Sequence, residues 1–478
     1  MPTPESPVRS PFCQNLLAAP LMALAATLAA CGATAHKVAF ATAAPFEVQG
    51  SSAVAPVGAP QVQDPVRSDP GSKDPARQDP GRQEPGWQDP GDPDRGPQDG
   101  EQDEARYDDA PPTYASLDLG VAETGISFGN SERWNGLRCN WRDHGVDEVL
   151  GLNLTLWSPR GDGIDSFTGI AIGAAPAARS STGLRVGFAT VAGRDVTGID
   201  VSLLAAVSQG SATAIRVAGL AAVSEADTTG IEVAGLATVS EGRAAGVHFG
   251  GLATVAEGGF TGIQGAGLAT VAEHDITGIT ASGIASVSQG DITGLTVGGF
   301  AVVAEGSVTG IHAAGLATVS QGSITGIGVS GLATVSEGSV AGLHAAGLGL
   351  VAESGVQGIG VAGVALGDPS GSFFDFSPRR ATAEGRTASR NRGILVAGLK
   401  ADAASVEGIT VAGLLNRSRD FDGIGVSLHN SVSGMQRGLQ VGLVNYAEDL
   451  RGVQIGLINH VPSNPWPLRW LPLVNFRF

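Results

Sequence analysis

The chain has 478 residues, 71 of them glycine, with aromatics at only 5% and a formal net charge of −17. Scarce rings exclude a conventional core of bulky side chains, and the acidity excludes the basic patches that nucleic-acid binding needs. Three cysteines, Cys13, Cys31 and Cys139, exclude a disulfide framework.

Residues 1–35 read as an export signal peptide. Arg9 lies in a polar start, and the apolar run from Leu16 to Ala30 is too short for a membrane span but suits a signal core. The ending Leu28-Ala29-Ala30-Cys31-Gly32 resembles a bacterial lipobox, which implies acylation of Cys31 and a lipoprotein anchor. Cleavage at an A-x-A site such as Ala33-Thr34-Ala35 would remove Cys31 instead, and that alternative stays open.

Residues 36–112 read as a disordered acidic linker. Asp64-Pro65, Asp69-Pro70, Asp74-Pro75, Asp79-Pro80, Glu84-Pro85 and Asp89-Pro90 recur every five residues. Proline blocks ladder hydrogen bonds and glycine adds entropy to the unfolded chain, so such a segment cannot bury enough surface to fold. An extended tether is expected.

The folded part is expected over 113–478. Gly136-Leu137-Arg138-Cys139-Asn140-Trp141 and Gly151-Leu152-Asn153-Leu154-Thr155-Leu156-Trp157 alternate apolar and polar residues, the pattern of half-buried strands. Cys139 shares the Leu137 face and reads as a small packed hydrophobe, with no base nearby in sequence.

From Gly169 one sixteen-residue phrase takes over. Its opening glycine returns at Gly230, Gly246, Gly262, Gly278, Gly294, Gly310, Gly326, Gly342 and Gly358. A fixed period dictates a repeat architecture. The second and fourth places are apolar (Ile231 and Val233), a small pair follows (Ala234-Gly235), then Leu236. C-terminal copies drop one residue of the pair, so a β-bulge is expected there in the longer copies. The third place varies freely: Arg185, Asp200, Arg216, Glu232, His248, Gln264, Thr280, Thr296, His312, Gly328, His344, Gln440, Gln454. It is expected to face water. The Ser-Glu-Gly-Ser type endings suit tight turns with glycine at positive φ. No helical period occurs past the signal.

The expected fold class is therefore all-β, built of tandem strand-turn repeats. Two closures fit. An antiparallel up-and-down β-barrel in the outer membrane would turn its Ile/Val/Leu face to lipid. The chain also ends in an alternating run closed by Phe478, which resembles the last strand of bacterial outer-membrane barrels. Against it, no Trp or Tyr lies between Trp157 and Tyr446 to form interfacial girdles. The alternative is a parallel β-solenoid with like residues stacked in columns. The barrel is preferred. Residues 366–392 interrupt the array as a long loop, either a binding loop or a tolerated insertion.

The C-terminal phrases Gly438-Leu-Gln-Val-Gly-Leu-Val-Asn445 and Gly452-Val-Gln-Ile-Gly-Leu-Ile-Asn459, with the closing Leu-Pro-Leu-Val-Asn-Phe-Arg-Phe478, resemble a bacterial surface-repeat family. Its members repeat G-[LV]-Q-[IV]-G-L-[VI]-N. The close match covers roughly 435–478, and in the central copies Gln and Asn give way to other residues. The resemblance implies an exported protein at the outer membrane or cell surface, of uncharacterised function and without catalytic residues.

No reactive constellation is legible. G-x-S-x-G, H-E-x-x-H and C-x-x-C motifs do not occur. His312 and His344 share a phrase position two repeats apart, too far apart in a barrel for a metal pair. Thr238, Thr254, Thr270, Thr318 and Thr334 would form a column in a solenoid, a face that could bind ice or a crystalline polymer. No catalytic, cofactor or metal residue is assigned, and Cys31 is the one modification site. The expectation is a non-enzymatic outer-membrane or surface protein with a structural or passive-pore role. The alternative is a lipid-anchored solenoid that binds a surface polymer or protein partner.

Overall fold

The computed structural model describes residues 116–159, 163–367 and 389–478. The expected signal with Cys31, the expected linker, and the greater part of the 366–392 stretch lie outside the described residues.

Each phrase forms one coil with two sides. In the coil that opens at Gly310, the strand Val308–Ala314 is the long side and Ala317–Ser320 the short side. Gly315-Leu316 turns one corner, and Gln321-Gly322-Ser323 turns the other. Long sides pair in parallel and in register, Gly294 opposite Gly310 and Gly310 opposite Gly326. Short sides do the same, with Thr318 opposite Thr334. The stack is a parallel β-solenoid of about 19 turns with no helix among the described residues.

This corrects the preferred barrel, in which consecutive strands would alternate direction. Among the described residues only two pairings are antiparallel, and both lie at the ends. Ser116–Val121 pairs with Thr124–Gly129, and Trp470–Arg477 pairs with the last long strand. The physical reason is the second corner. A phrase with two corners returns the chain to its starting side, one strand spacing higher (about 4.8 Å). The expected bulge at the small pair is this corner, where Gly-Leu separates two strands. The terminal run that resembles a barrel's last strand is an end strand here, with Phe476 and Phe478 exposed.

The two faces are also reversed relative to the sequence expectation. Ile311 and Leu316 point outward, at 52% and 42% exposure, whereas His312 between them is buried. The third place is interior in every coil from Arg185 through Glu232, Thr280 and His344 to Gln454. In the central coils the interior takes a branched residue two places before the opening glycine, and at Val302, Leu350 and Leu366 the short side adds another. Ile276, Ile292, Val308, Ile324, Val340 and Val356 form that buried column. Alanine, serine and threonine fill the remaining space, as at Ala314, Thr318 and Ser320. Burying each Ile or Val contributes about 1.5–3 kcal/mol.

Close backbone approach sets where glycine must stand. The opening glycines lie at positive φ, 118° at Gly310 and 120° at Gly326. A Cβ on Gly326 would sit 2.1 Å from the Gly310 carbonyl oxygen. The corner Gly315 is equally tight, with a Cβ 1.9 Å from the Gly299 carbonyl oxygen. Positive φ was expected instead at the Ser-Glu-Gly-Ser glycines, but Gly242, Gly306 and Gly322 lie outside that range. Ala214 occupies the opening column without positive φ, so alanine enters only where the backbone departs from it. Gly326→Ala is therefore expected to destabilise the array by about 1–3 kcal/mol. A lowered urea midpoint at unchanged secondary structure is the readout, and an unchanged midpoint would remove the steric account.

Candidate binding face and buried polar ladder

The outward side of the long strands carries the sixteenth, second and fourth places of each phrase, and the corner leucine extends it. In the central coils these are columns of Thr (Thr277, Thr293, Thr309, Thr325), of Ile or Leu (Ile279, Leu295, Ile311, Ile327), and of Val or Ala. From Thr197 to Val364 none of these four places holds a charged residue. Leu236, Leu252, Phe300, Leu332 and Leu348 continue the exposed apolar surface around the corner. At the N-terminal end the same face runs into an open apolar hollow lined by Cys139, Leu154 and Ile172 with Trp141, Leu156 and Phe188. Cys139 does lie on the Leu137 face, but that face is outward and the free thiol is half-buried.

In these coils exposed charge is kept to the opposite corner, whereas the C-terminal coils place Arg392, Glu407, Asp422 and Arg437 on the outward side before the opening glycine. Glu241, Glu257, Glu273 and Glu305 are exposed at that corner. Beside them, Asp195, Asp227, Asp275 and Asp291 tie successive coils together. Their Oδ1 atoms accept the backbone N–H of Ser211 (2.9 Å), Arg243 (2.8 Å), Asp291 (2.8 Å) and Ser307 (2.6 Å).

Inside, the third place forms a ladder of paired polar groups. Arg185 Nε donates to Asp200 Oδ1 at 2.6 Å, and Arg216 is paired with Glu232 in the coils that follow. His248 Nδ1 lies 3.1 Å from Glu232 Oε2, with its ring edge-on to Phe260 at 5.3 Å. Burial pushes the Glu232 carboxyl up, but Arg216 and then His248 outweigh it, and the net effect is a lowered pKa. The C-terminal coils use amides instead. Asn430 Nδ2 donates to Asn445 Oδ1, and Asn445 Nδ2 to Asn459 Oδ1, both at 2.8 Å. Gln454 Nε2 donates to Gln440 Oε1 at 3.1 Å. The Gln and Asn of the G-[LV]-Q-[IV]-G-L-[VI]-N phrase are thus rungs of interior ladders.

His312 and His344 are brought together. Gly328 stands between them in the column, and its missing side chain lets the two rings lean to 5.4 Å between centroids. Both are buried, and no partner is found for either ring nitrogen of His312. Burial, then the nearby His344, holds His312 down to about 4. His344 is also lowered, chiefly by burial. The pair has no third ligand, since no group of three His, Cys, Asp or Glu suited to a metal occurs among the described residues.

The threonines expected as a possible binding column are interior. Thr238 Oγ1 donates to Thr254 Oγ1 at 3.2 Å, and Thr270, Thr318 and Thr334 are buried. The outward threonines are those immediately before the opening glycine. Sequence reasoning missed them and took the Ile/Val face for a lipid or core face. A usable signal was the place two before the glycine, apolar in every copy from Phe260 to Val356, which alternation assigns to the opposite side from Ile311. Comparison with family models, curated proteins and solved structures finds no match for this chain.

The lowered histidines fix a pH dependence. An unfolded histidine takes a proton near pH 6.5, whereas folded His312 resists until about 4. Stability from this pair is complete above 6.5 and is lost as pH falls toward 4. Glu232 acts in the same direction, since a carboxylate held down in the folded state loses its contribution on acidification. Leu395 occupies the third place fully buried, so leucine fits there. The His312→Leu/His344→Leu protein should lose less stability than the wild type between pH 7 and 4.5 in urea titrations. Equal losses would exclude the histidines as a source.

Proposed function

We propose that this chain is an exported, non-enzymatic β-solenoid, lipid-anchored through Cys31 at a bacterial outer membrane or cell surface, that docks a protein partner through its apolar long face. The observation that carries this reading is the uncharged run of exposed Thr, Ile and Val columns from Thr197 to Val364. Monomeric soluble proteins rarely leave more than a few hundred Å² of continuous apolar surface uncovered. With strands about 4.8 Å apart and side chains about 6.6 Å apart along each strand, eleven coils present on the order of 1,000 Å². The acidic tether expected at 36–112 would hold that face clear of the anchor.

The passive-pore role loses its basis with the barrel, because the interior is filled with side chains. A polysaccharide ligand fits poorly, for the central face offers no Trp or Tyr platform. A lipid surface also fits poorly. Membrane-lying faces are flanked by Lys and Arg, whereas the exposed corner beyond this face carries Glu and Asp. The surface-repeat resemblance of residues 435–478 supports the address.

Two measurements test the reading. Cys31→Ala should move the protein from the membrane fraction to the soluble periplasmic fraction. A photo-crosslinking residue at Ile279 should give protein adducts in intact cells, and one at Glu273 on the acidic corner should not. Membrane retention of the Cys31 variant would overturn the anchor, and an absence of protein adducts at 279 would overturn the docking face.

A further inference from the structure

We propose that the interior of the solenoid binds one soft, closed-shell monovalent cation of the Cu(I) and Ag(I) class, held in line between His312 Nε2 and His344 Nδ1. This site is separate from the docking face and uses side chains that the fold has turned inward.

One absent side chain builds it. His312, Gly328 and His344 follow one another in the third-place column, paired in register along the long side. The rings on either side of Gly328 lean together, to 5.4 Å between centroids at an angle of 31°. They lead with nitrogen. A Cβ on Gly328 would lie 2.1 Å from His312 Nε2 and 2.6 Å from His344 Nδ1. Both nitrogens thus border the same small gap, at a spacing comparable with imidazole–metal bonds of about 2.0–2.1 Å.

Neither of these nitrogens has a hydrogen-bond partner among the described residues, although His312 and His344 are 2% and 1% exposed. Hydroxyls of the same coils are engaged with one another instead. Ser330 Oγ donates to Thr318 Oγ1 at 2.9 Å, and Thr334 Oγ1 donates to Ser330 Oγ at 3.0 Å. His344 Nε2 lies 3.0 Å from the Ala341 carbonyl oxygen, to which it donates. That bond places the ring proton on Nε2 and leaves the Nδ1 lone pair facing the gap, as an orienting carbonyl does for metal-bound histidine. Buried polar atoms left without a partner are costly, and a shared cation satisfies both nitrogens at once.

The ligand set selects the ion. Zn(II) takes four ligands in a tetrahedron, and Ca(II) and Mg(II) take oxygen ligands. The pair gains no third His, Cys, Asp or Glu among the described residues. A closed-shell monovalent ion is satisfied by two donors in line, and imidazole is a good donor to copper. A single charge is also the least that a buried site has to strip of water. Because side chains fill the interior, the ion enters as the coils close over it or during local opening.

The test uses the full chain with Cys13, Cys31 and Cys139 changed to Ser, so that no thiol competes. The protein is refolded from urea with Cu(I), kept reduced by ascorbate without oxygen, and then washed with a chromophoric Cu(I) chelator. It should retain one Cu(I) per chain, with a raised urea midpoint and an X-ray absorption edge of two-coordinate Cu(I) bound by nitrogen. Gly328→Thr keeps both imidazoles and fills the gap with the residue that Thr280 and Thr296 carry at the same place. Gly328 is not at positive φ, so this variant should fold, and it should retain no Cu(I). His312→Leu should lose the ion as well, whereas His274→Leu, at an exposed position, should retain it. No retained Cu(I), retention indifferent to Gly328→Thr and His312→Leu, or an edge showing three or more ligands would each overturn the proposal. Equal retention of Zn(II), lost in the same variants, would overturn the choice of ion.

Discussion

Direct contact between the backbones of successive coils is the constraint on which the rest of the molecule depends. At the opening and corner glycines the preceding coil's carbonyl oxygen occupies the space of a side chain. Coils that approach so closely must share one path, and one path requires one phrase length. The chain shortens its phrase only toward the two ends of the array, where Gly183 and Gly198 near the start, and Gly393, Gly408, Gly423 and Gly438 near the finish, fall fifteen apart. In-register stacking then multiplies the character of each place into a stripe. An isoleucine becomes an apolar column, a threonine a hydroxyl column, and an aspartate at the corner a row of clamps on the next coil's amide.

The periodicity, the strands and the lack of helix were legible, because glycine every sixteen residues and short alternating runs leave few other architectures. The assignment of inside and outside was not legible from alternation alone. Ile311-His312-Ala313 states that two faces differ, and the usual preference for apolar interiors then points the wrong way. The deciding fact is the second buried column. The residues through Ile324 supply apolar filling in the central coils, and the third place holds residues that in several coils pair from coil to coil. Arg185 with Asp200 and Asn445 with Asn459 can do so only when stacked, which no reading of a single phrase reveals. His312 and His344 meet for the same reason, across a glycine that belongs to the coil between them. The hollow around Cys139 was hidden because its lining comes from four different coils.

The division of labour between faces is unusual in direction. Buried ion pairs add little net stability, but they strongly penalise a mismatch. In a stack of nearly identical phrases, a slip by one coil would cost little if every rung were alike. Arg185 opposite Asp200, and Arg216 opposite Glu232, distinguish their coils from the threonine and glycine rungs farther along. The polar interior thereby contributes register, and the apolar exterior is released for contact with other molecules.

The two end strands that run against the stack have a further consequence. An open parallel edge is a template on which another molecule of the same kind can add, coil upon coil, into a fibre. Ser116–Val121 at the start and Trp470–Arg477 at the finish reverse the strand direction, so neither described end of the stack continues the parallel ladder of the coils. The number of coils can change by duplication or loss in the middle, with the same two end strands serving a longer or a shorter rod.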